Sequence, residues 1–507
     1  MKPDGKRESL SDRCDHIFGA RIRAVMRAVP IYLRKCFIMS EQKSAKNLSE
    51  SKKELFERMP VTKAILTLAI PTIISQLISV IYNIADTFYV GRTGNPYMIA
   101  GVSLALPVFL MTISFANLFG IGGGSFISRL MGAGRDDRAK TVSSFSFYGA
   151  LAISLVYSVI VALFMDPILN MLGASGNTME FARQYTLWVV VFGTPFIVVS
   201  AVESHLLRNT GYSTQASLGL SGGGILNMIL DPIFMFILFP KGQEVLAAAV
   251  ATFVSNVGAF IFLTVVLLGV SKKSPLSIDP MALKDMKKNY VRETFAVGIP
   301  SALLPGLFDV SNIVMNSSMA AHGDLQLAAM GIVMKVERLP NAIGIGISQG
   351  MLPLVAYNYS AGNKKRMTDV IRTARVMGIA QGVFFVILFQ IFAETFVSVF
   401  LDSSAGAEAA AATLVFATTF LKLRGLASPF QFINFHSSYC MQAMGDGKGT
   451  ILHAIGRIVV IYIPLIFLFD HFFGETGLAL ALPVGEALAD ILAVTLLRRS
   501  TEKMKAA

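Results

Sequence analysis

Residues 71–92, PTIISQLISVIYNIADTFYVGR, decide the fold. The segment is apolar and continues an apolar run that starts near residue 61, but Pro71 interrupts it near one end and Asn83 and Asp86 near the other. A carboxylate at the centre of a bilayer costs about 2.5–3.5 kcal/mol on insertion scales, so one that stays there usually has a job. Asn83 and Asp86 are three residues apart and share a helix face. Proline removes one backbone hydrogen bond and permits a kink, tolerable in a membrane helix whose neighbours re-satisfy the freed group. A bendable helix carrying an ionisable group is what an ion-coupled transporter needs.

The composition of the whole chain agrees with a membrane origin for this segment. Of 507 residues 54% are hydrophobic and 15% are charged, and the mean hydropathy is +0.61, whereas soluble domains carry about 25% charged residues. The net charge of +12 accompanies no nucleic-acid-binding motif, and no nucleic-acid partner is expected. Cys14, Cys36 and Cys440 are too scattered for a disulfide framework or a metal site. No HExxH motif marks a membrane-embedded metalloenzyme.

Apolar stretches long enough to cross a bilayer recur near 62–90, 97–127, 141–165, 182–206, 215–239, 245–269, 291–317, 327–351, 370–398, 409–435, 450–470 and 476–497. The pattern predicts an all-α polytopic membrane protein with twelve transmembrane helices. Basic residues gather in alternate loops: Arg129, Arg135, Arg138 and Lys140, then Lys272 to Lys288, then Lys364 to Arg366, then the tail after Arg498. The opposite loops around 320–326, 402–408 and 470–476 contain no Lys or Arg. The positive-inside rule therefore places both termini in the cytoplasm.

The second half repeats the first. Pro71 and Asn83 return as Pro300 and Asn312, shifted by 229, while Ala133, Gly134, Arg138 and Val142 return as Ala361, Gly362, Arg366 and Val370, shifted by 228. Two pseudo-symmetric six-helix bundles follow, related by an axis along the membrane normal, with a central site between them. The expected organisation is a basic cytoplasmic segment 1–60, a first lobe 61–270, a linker 271–290, a second lobe 291–498 and a cytoplasmic tail 499–507. Within the first segment, residues 1–38 are read as an upstream extension before a start at Met39; the alternative is a basic arm on the anionic inner leaflet.

In the fifth span, LSGGGILNMILDPIFMFIL, Asn227 and Asp231 lie four apart on one face, and Pro232 is expected to break the helix directly after them. Removing a carboxylate from water disfavours its charged form, and a second carboxylate nearby does so further. Asp86 and Asp231 are thus read as a pair that takes up a proton or holds Na⁺ among oxygens, with Asn83 and Asn227 beside them. The alternative is that these residues only hydrogen-bond helices together at kinks.

Together, Pro71, Asn83 and Asp86, the pair Asn227 and Asp231, and the phrase GIGISQGMLPLVAYNYSAGN at 344–363 resemble the multidrug and toxic compound extrusion (MATE) family, over roughly residues 55–500. The resemblance implies two six-helix bundles around a V-shaped cavity. It implies export of small organic cations in exchange for protons or sodium ions, with no other cofactor. It also implies a first-lobe cation site at Asp86, Asn227 and Asp231, with Tyr185 and Thr252 as further members and Pro71 as the hinge of the first helix. A monomer in the inner membrane of a prokaryote is expected. Some branches of the family add an acidic pair in the seventh and tenth spans; Asp309 fits the first place, but the tenth span has Lys422 and Arg424 and no acidic residue after Glu408.

Other polar residues in the spans have two readings each. Asp309 is a coupling or substrate residue, or a hydrogen-bonded structural one. Lys335, Glu337 and Arg338 form a cluster in which Glu337 pairs with either neighbouring cation, or they line the cavity and set its charge preference. Glu203 is expected at the cytoplasmic interface, with the transport path as its alternative. Glu486 and Asp490 are read as polar contacts between helices. GIGGGS at 120–125 has no strand before it and reads as close helix packing, not a dinucleotide loop. Two rivals remain within transporters: a major-facilitator antiporter and a flippase for lipid-linked saccharides.

Overall fold

The computed structural model describes residues 53–401 and 407–506. The expectations about residues 1–52, including a start at Met39, and about the turn at 402–406 lie outside the described residues. Among the described residues there is no strand.

Helices follow the apolar runs. They are α1 (Val61–Gly91), α2 (Pro96–Gly132), α3 (Asp136–Leu163), α4 (Met179–Phe192 and Thr194–Asn209, bent by 46°), α5 (Ser213–Leu238) and α6 (Glu244–Ser271). After a short 3₁₀ turn at Pro280–Asp285 come α7 (Lys288–Ala320), α8 (Asp324–Ser360), α9 (Lys364–Ser398) and α10 (Ala407–Gly425 and Ser428–Met444, bent by 47°). The last run, Gly447–Glu502, is 56 residues long, far beyond the roughly 20 a bilayer needs. It is broken at Gly474, whose φ is 57° and ψ −142°, which divides it into α11 (447–473) and α12 (475–506). Twelve spans result among the described residues.

Local chemistry sets the ends. Asn95 accepts from Tyr97 N to cap α2, and Asn363 accepts from Arg366 N at 3.1 Å to cap α9. Gly134 and Gly362 follow the ends of α2 and α8 with φ of 67° and 73°, the left-handed conformation that closes a helix cheaply only without a Cβ. These two glycines are the repeat partners seen in the sequence, so the pseudo-symmetry extends to backbone conformation.

Two prolines lie inside continuous helices. Pro71 sits inside an unbroken α1; its missing N–H leaves the Thr67 carbonyl without its helical donor. Pro232 does not end α5: the helix continues past it as a π-helical turn over Phe234–Leu238.

The first six helices pack together, as do the last six, and the halves meet through α1 against α8 and α2 against α7 and α8. These contacts concentrate toward the ends that carry the basic loops. Gly346 faces Ile73 and Gly350 faces Ala69 at backbone distance. Ser125 donates to the Gln442 carbonyl at 2.6 Å, Arg129 pairs with Glu293 at 2.9 Å, and Arg208 donates to Gln349 Oε1 at 2.9 Å. A short stretch before α1 belongs to the same seam. Arg366 donates to the carbonyls of Phe56 and Met59, each at 2.7 Å, and Tyr357 donates to Glu57 at 2.6 Å. Phe56 is fully buried and stacks on Tyr357.

Candidate functional site

In the first half, α1, α4, α5 and α6 line a cavity of about 160 Å³. Gln76, Ser79 and Tyr82 reach it from α1, Ser200 from α4, Asn227 from α5 and Asn256 from α6. Helical period explains the α1 contribution: Ser75, Ser79, Tyr82 and Asp86 recur at steps of four, three and four, hence on one face.

Asn227 joins this cavity to a buried carboxylate. It is 2% exposed, and its amide donates to Asp231 Oδ1 at 3.0 Å and to Thr252 Oγ1 at 3.3 Å. Asp231 is fully buried and Thr252 is 2% exposed. Asp86, half-buried on α1, stands within electrostatic reach of Asp231, and Tyr82 and Tyr185 share that neighbourhood. Tyr185 is buried where α4 changes from α- to π-helical winding. The structure therefore brings Asp86, Tyr185, Asn227, Asp231 and Thr252 together.

Asn83 is not part of that face. It is exposed, and its amide donates to the Ser79 carbonyl at 2.6 Å. The α1 residues that line the cavity include Gln76, Ser79 and Tyr82, which sequence reasoning did not single out. Ser200, Ser255 and Asn256 were missed as well; single hydroxyl and amide residues in apolar helices carry no signal of which face they occupy.

The remaining candidates lie elsewhere. Asp309, half-buried on α7, faces the charge of Arg338 on α8. Lys335 is exposed. Glu337 is 7% exposed and makes a two-pronged ion pair with Arg424 of α10, 2.9 Å for each prong. This corrects the pairing with Lys335 or Arg338, because residues one or two apart on a helix point in different directions. Glu203 is also corrected: it is fully buried, not interfacial, and accepts from Thr264 Oγ1 of α6 at 2.8 Å. Glu486 of α12 makes a two-pronged pair with Arg457 of α11 at 2.9 and 2.7 Å and accepts from Asn434 at 2.8 Å. His453 bonds Asn434 Oδ1 at 2.8 Å and Ser438 at 2.7 Å, completing a buried polar network in the second half. Among the described residues no group of three His, Cys, Asp or Glu side chains gathers into a metal site.

Comparison with known proteins follows the same division into halves. The MatE family model matches residues 71–233 and again 300–468. The chain is 35% identical over 449 residues to the multidrug export protein MepA of Staphylococcus aureus (strain MRSA252), covering 87% of this chain and 95% of that protein. Among solved structures, a crystal structure of MATE in complex with MaL6 superposes with a TM-score of 0.84 at 24% identity, covering 90% of this chain and 99% of that one. An outward-facing conformation of a multidrug resistance MATE family transporter of the MOP superfamily gives 0.81 at 25% identity, with 90% and 98% covered.

Proposed function

Because the chain belongs to the multidrug and toxic compound extrusion (MATE) family of efflux transporters, we propose that it exports cationic amphipathic compounds in exchange for H⁺ or Na⁺. The observation that carries this reading is a set of acceptor oxygens without donors. Asp86 Oδ1, Asn227 Oδ1 and Asp231 Oδ2 are shielded from solvent and accept no hydrogen bond. Buried acceptors left unpaired are costly, and buried charge more so. A proton on one carboxyl turns an acceptor into a donor and relieves two of these groups at once. A sodium ion, bound by oxygens, relieves all three.

In the proposed cycle a cation enters from the side away from the basic loops and neutralises the Asp86–Asp231 region. The first helix bends at Pro71, the first-half cavity contracts, and substrate leaves outward. Release of the cation toward the basic-loop side, taken as the cytoplasm with both termini there, resets the carrier. One charge moving through 100 mV supplies about 2.3 kcal/mol, and no cofactor beyond the coupling ion and no second subunit is required. Asp309, which faces Arg338, and the exposed Lys335 belong to the approach of the substrate.

The test is ethidium efflux from drug-sensitive cells expressing the full chain with Asp86→Asn or Asp231→Asn. Both variants are expected to fall to the level of cells without the transporter. Undiminished export by both at matched expression rejects the assigned site.

A further inference from the structure

We propose that Glu203 is the inward station of the coupling cation, reached from the carboxylate pair through the first-half cavity. The inference rests on the ion-coupled reading above and adds a residue and a route to it.

The cavity has a direction. α1 and α5 run parallel, since Ser213 donates to the Leu68 carbonyl at 2.9 Å while Gly224 lies beside Ile78 and Tyr82. Asp86 and Asp231 therefore lie at one level, with Asn227 one turn nearer the basic-loop side. From Asn227 the cavity continues in that direction past Gly223 and Leu220 on α5, Asn256 and Ala259 on α6, and Ser200 on α4. Glu203 lies three residues beyond Ser200, on the same face of α4 and about 4.5 Å further along it.

Glu203 has the makings of a cation-binding group and lacks a structural explanation. It is fully buried. Thr264 donates to Oε1, and Oε2 is buried with no partner. A helix-gluing role would leave neither oxygen wanting. On α5, the hydroxyls of Ser221 and Ser217 are likewise buried and unbonded, at the two turns that separate Asn227 from the level of Glu203.

The charged surroundings of Glu203 are sparse. On its own helix His205 and Arg208 follow it, and Arg208 is engaged by Gln349. On α5 the only charged side chain is Asp231 itself. No charged residue occurs on α6 between Glu244 and Lys272, on α2 between residues 97 and 128, or on α3 between 141 and 163. A cation leaving Asp231 toward the basic-loop side thus meets Glu203 as the next carboxylate. Arg208, one turn further on, repels a cation held there and favours its departure over its accumulation.

The test uses purified full chain in proteoliposomes with ethidium as the probe. Flux is followed under an imposed pH gradient, under an imposed Na⁺ gradient, and as ethidium exchange with no ion gradient. Glu203→Gln is expected to slow flux driven by whichever gradient the wild type uses by about tenfold or more. Exchange, which runs through the substrate-loaded carrier without ion release, is expected to stay within about twofold. Thr264→Val keeps the carboxyl but removes its donor, and is expected to shift the pH or Na⁺ dependence of flux; it carries the test should Glu203→Gln fail to fold. Wild-type gradient-driven flux in Glu203→Gln, or an unshifted ion dependence in Thr264→Val, overturns the proposal. So does equal loss of exchange and driven flux, which makes Glu203 structural. If Asp231→Asn abolishes driven flux and Glu203→Gln does not, only this inference fails. If neither gradient drives the wild type, the ion-coupled reading fails and takes this one with it.

Discussion

The seam between the halves gives the sharpest mechanical prediction. At Gly350 of α8 an added Cβ lies 2.6 Å from Ala69 Cα, 2.7 Å from Ala69 N and 2.8 Å from Ala69 Cβ of α1. Carbon atoms rest about 3.5–4.0 Å apart, so Gly350→Ala forces α1 and α8 apart by roughly 1 Å. The intruding methyl meets backbone, not the mobile end of a side chain, and cannot be swung aside. Overpacking of this kind costs about 1–3 kcal/mol. That cost falls only on the arrangement in which the basic-loop ends of the halves are in contact. With about 1.4 kcal/mol per factor of ten, the ratio of closed to open on that side should drop by about 5- to 150-fold.

The assay is a distance distribution between spin labels at Arg138→Cys and Lys365→Cys, exposed positions in the first turns of α3 and α9 on the basic side of the two halves, with the three native cysteines replaced. Gly350→Ala is expected to add a longer-distance population and to lower export. Gly331→Ala, on the same helix but with nothing within 4 Å of the added methyl, serves as the control and should do neither. An unchanged distance distribution in Gly350→Ala, with control and variant alike, refutes the claim that glycine contact at Ala69 holds this side closed.

Two further outcomes follow from the same seam and from the second-half network. Arg457→Met leaves Glu486 buried without its two-pronged partner, a change that costs on the order of 3–5 kcal/mol; the unfolding midpoint in detergent should fall, and adding Glu486→Leu should recover most of the loss. Arg366→Ala removes the donor that holds the carbonyls of Phe56 and Met59, so amide exchange at residues 55–59 should accelerate while that of α9 stays unchanged.

The spans and the two-fold repeat were legible because membrane insertion writes them in composition: apolar runs of sufficient length, and Lys and Arg confined to alternate loops. Asp86, Asn227 and Asp231 were legible for the same reason, since a polar residue in an apolar run stands out. What a helix faces was not legible. Glu337 finds Arg424 and Arg457 finds Glu486 across distances of 87 and 29 residues, and no local pattern announces either pairing. Glu203 was misplaced by its neighbours: His205 and Arg208 look like the start of a headgroup region, yet Arg208 is 4% exposed and bonded to α8. Tyr82 was overlooked because an aromatic side chain in a membrane helix reads as packing until the cavity is seen.

The repeat also shows what one half kept and the other did not. A shift of 229 carries Asp86 onto Met315, and a shift of 234, which aligns Gly211 with Gly445 just before α5 and α11, carries Asp231 onto Leu465; Met315 is fully buried and Leu465 half-buried. The scaffold is duplicated, including its helix-ending glycines, but the carboxylate pair is not. The second half does bury charge, and there Glu337 and Glu486 are each matched by an arginine in two-pronged contact. A carboxylate locked to a guanidinium has no need of a mobile cation, whereas Asp86, Asp231 and Glu203 face no such partner. In the second half Asp490 Oδ1 of α12 is likewise buried without a donor, but it stands alone there among the described residues, whereas the first half gathers three such carboxylates, which is the ground for placing the proposed coupling in the first half. Motion of the second half then has to be driven across the seam, through α1 on α8 and α2 on α7, which is why a single methyl at Gly350 is expected to matter as much as a charge at Asp231.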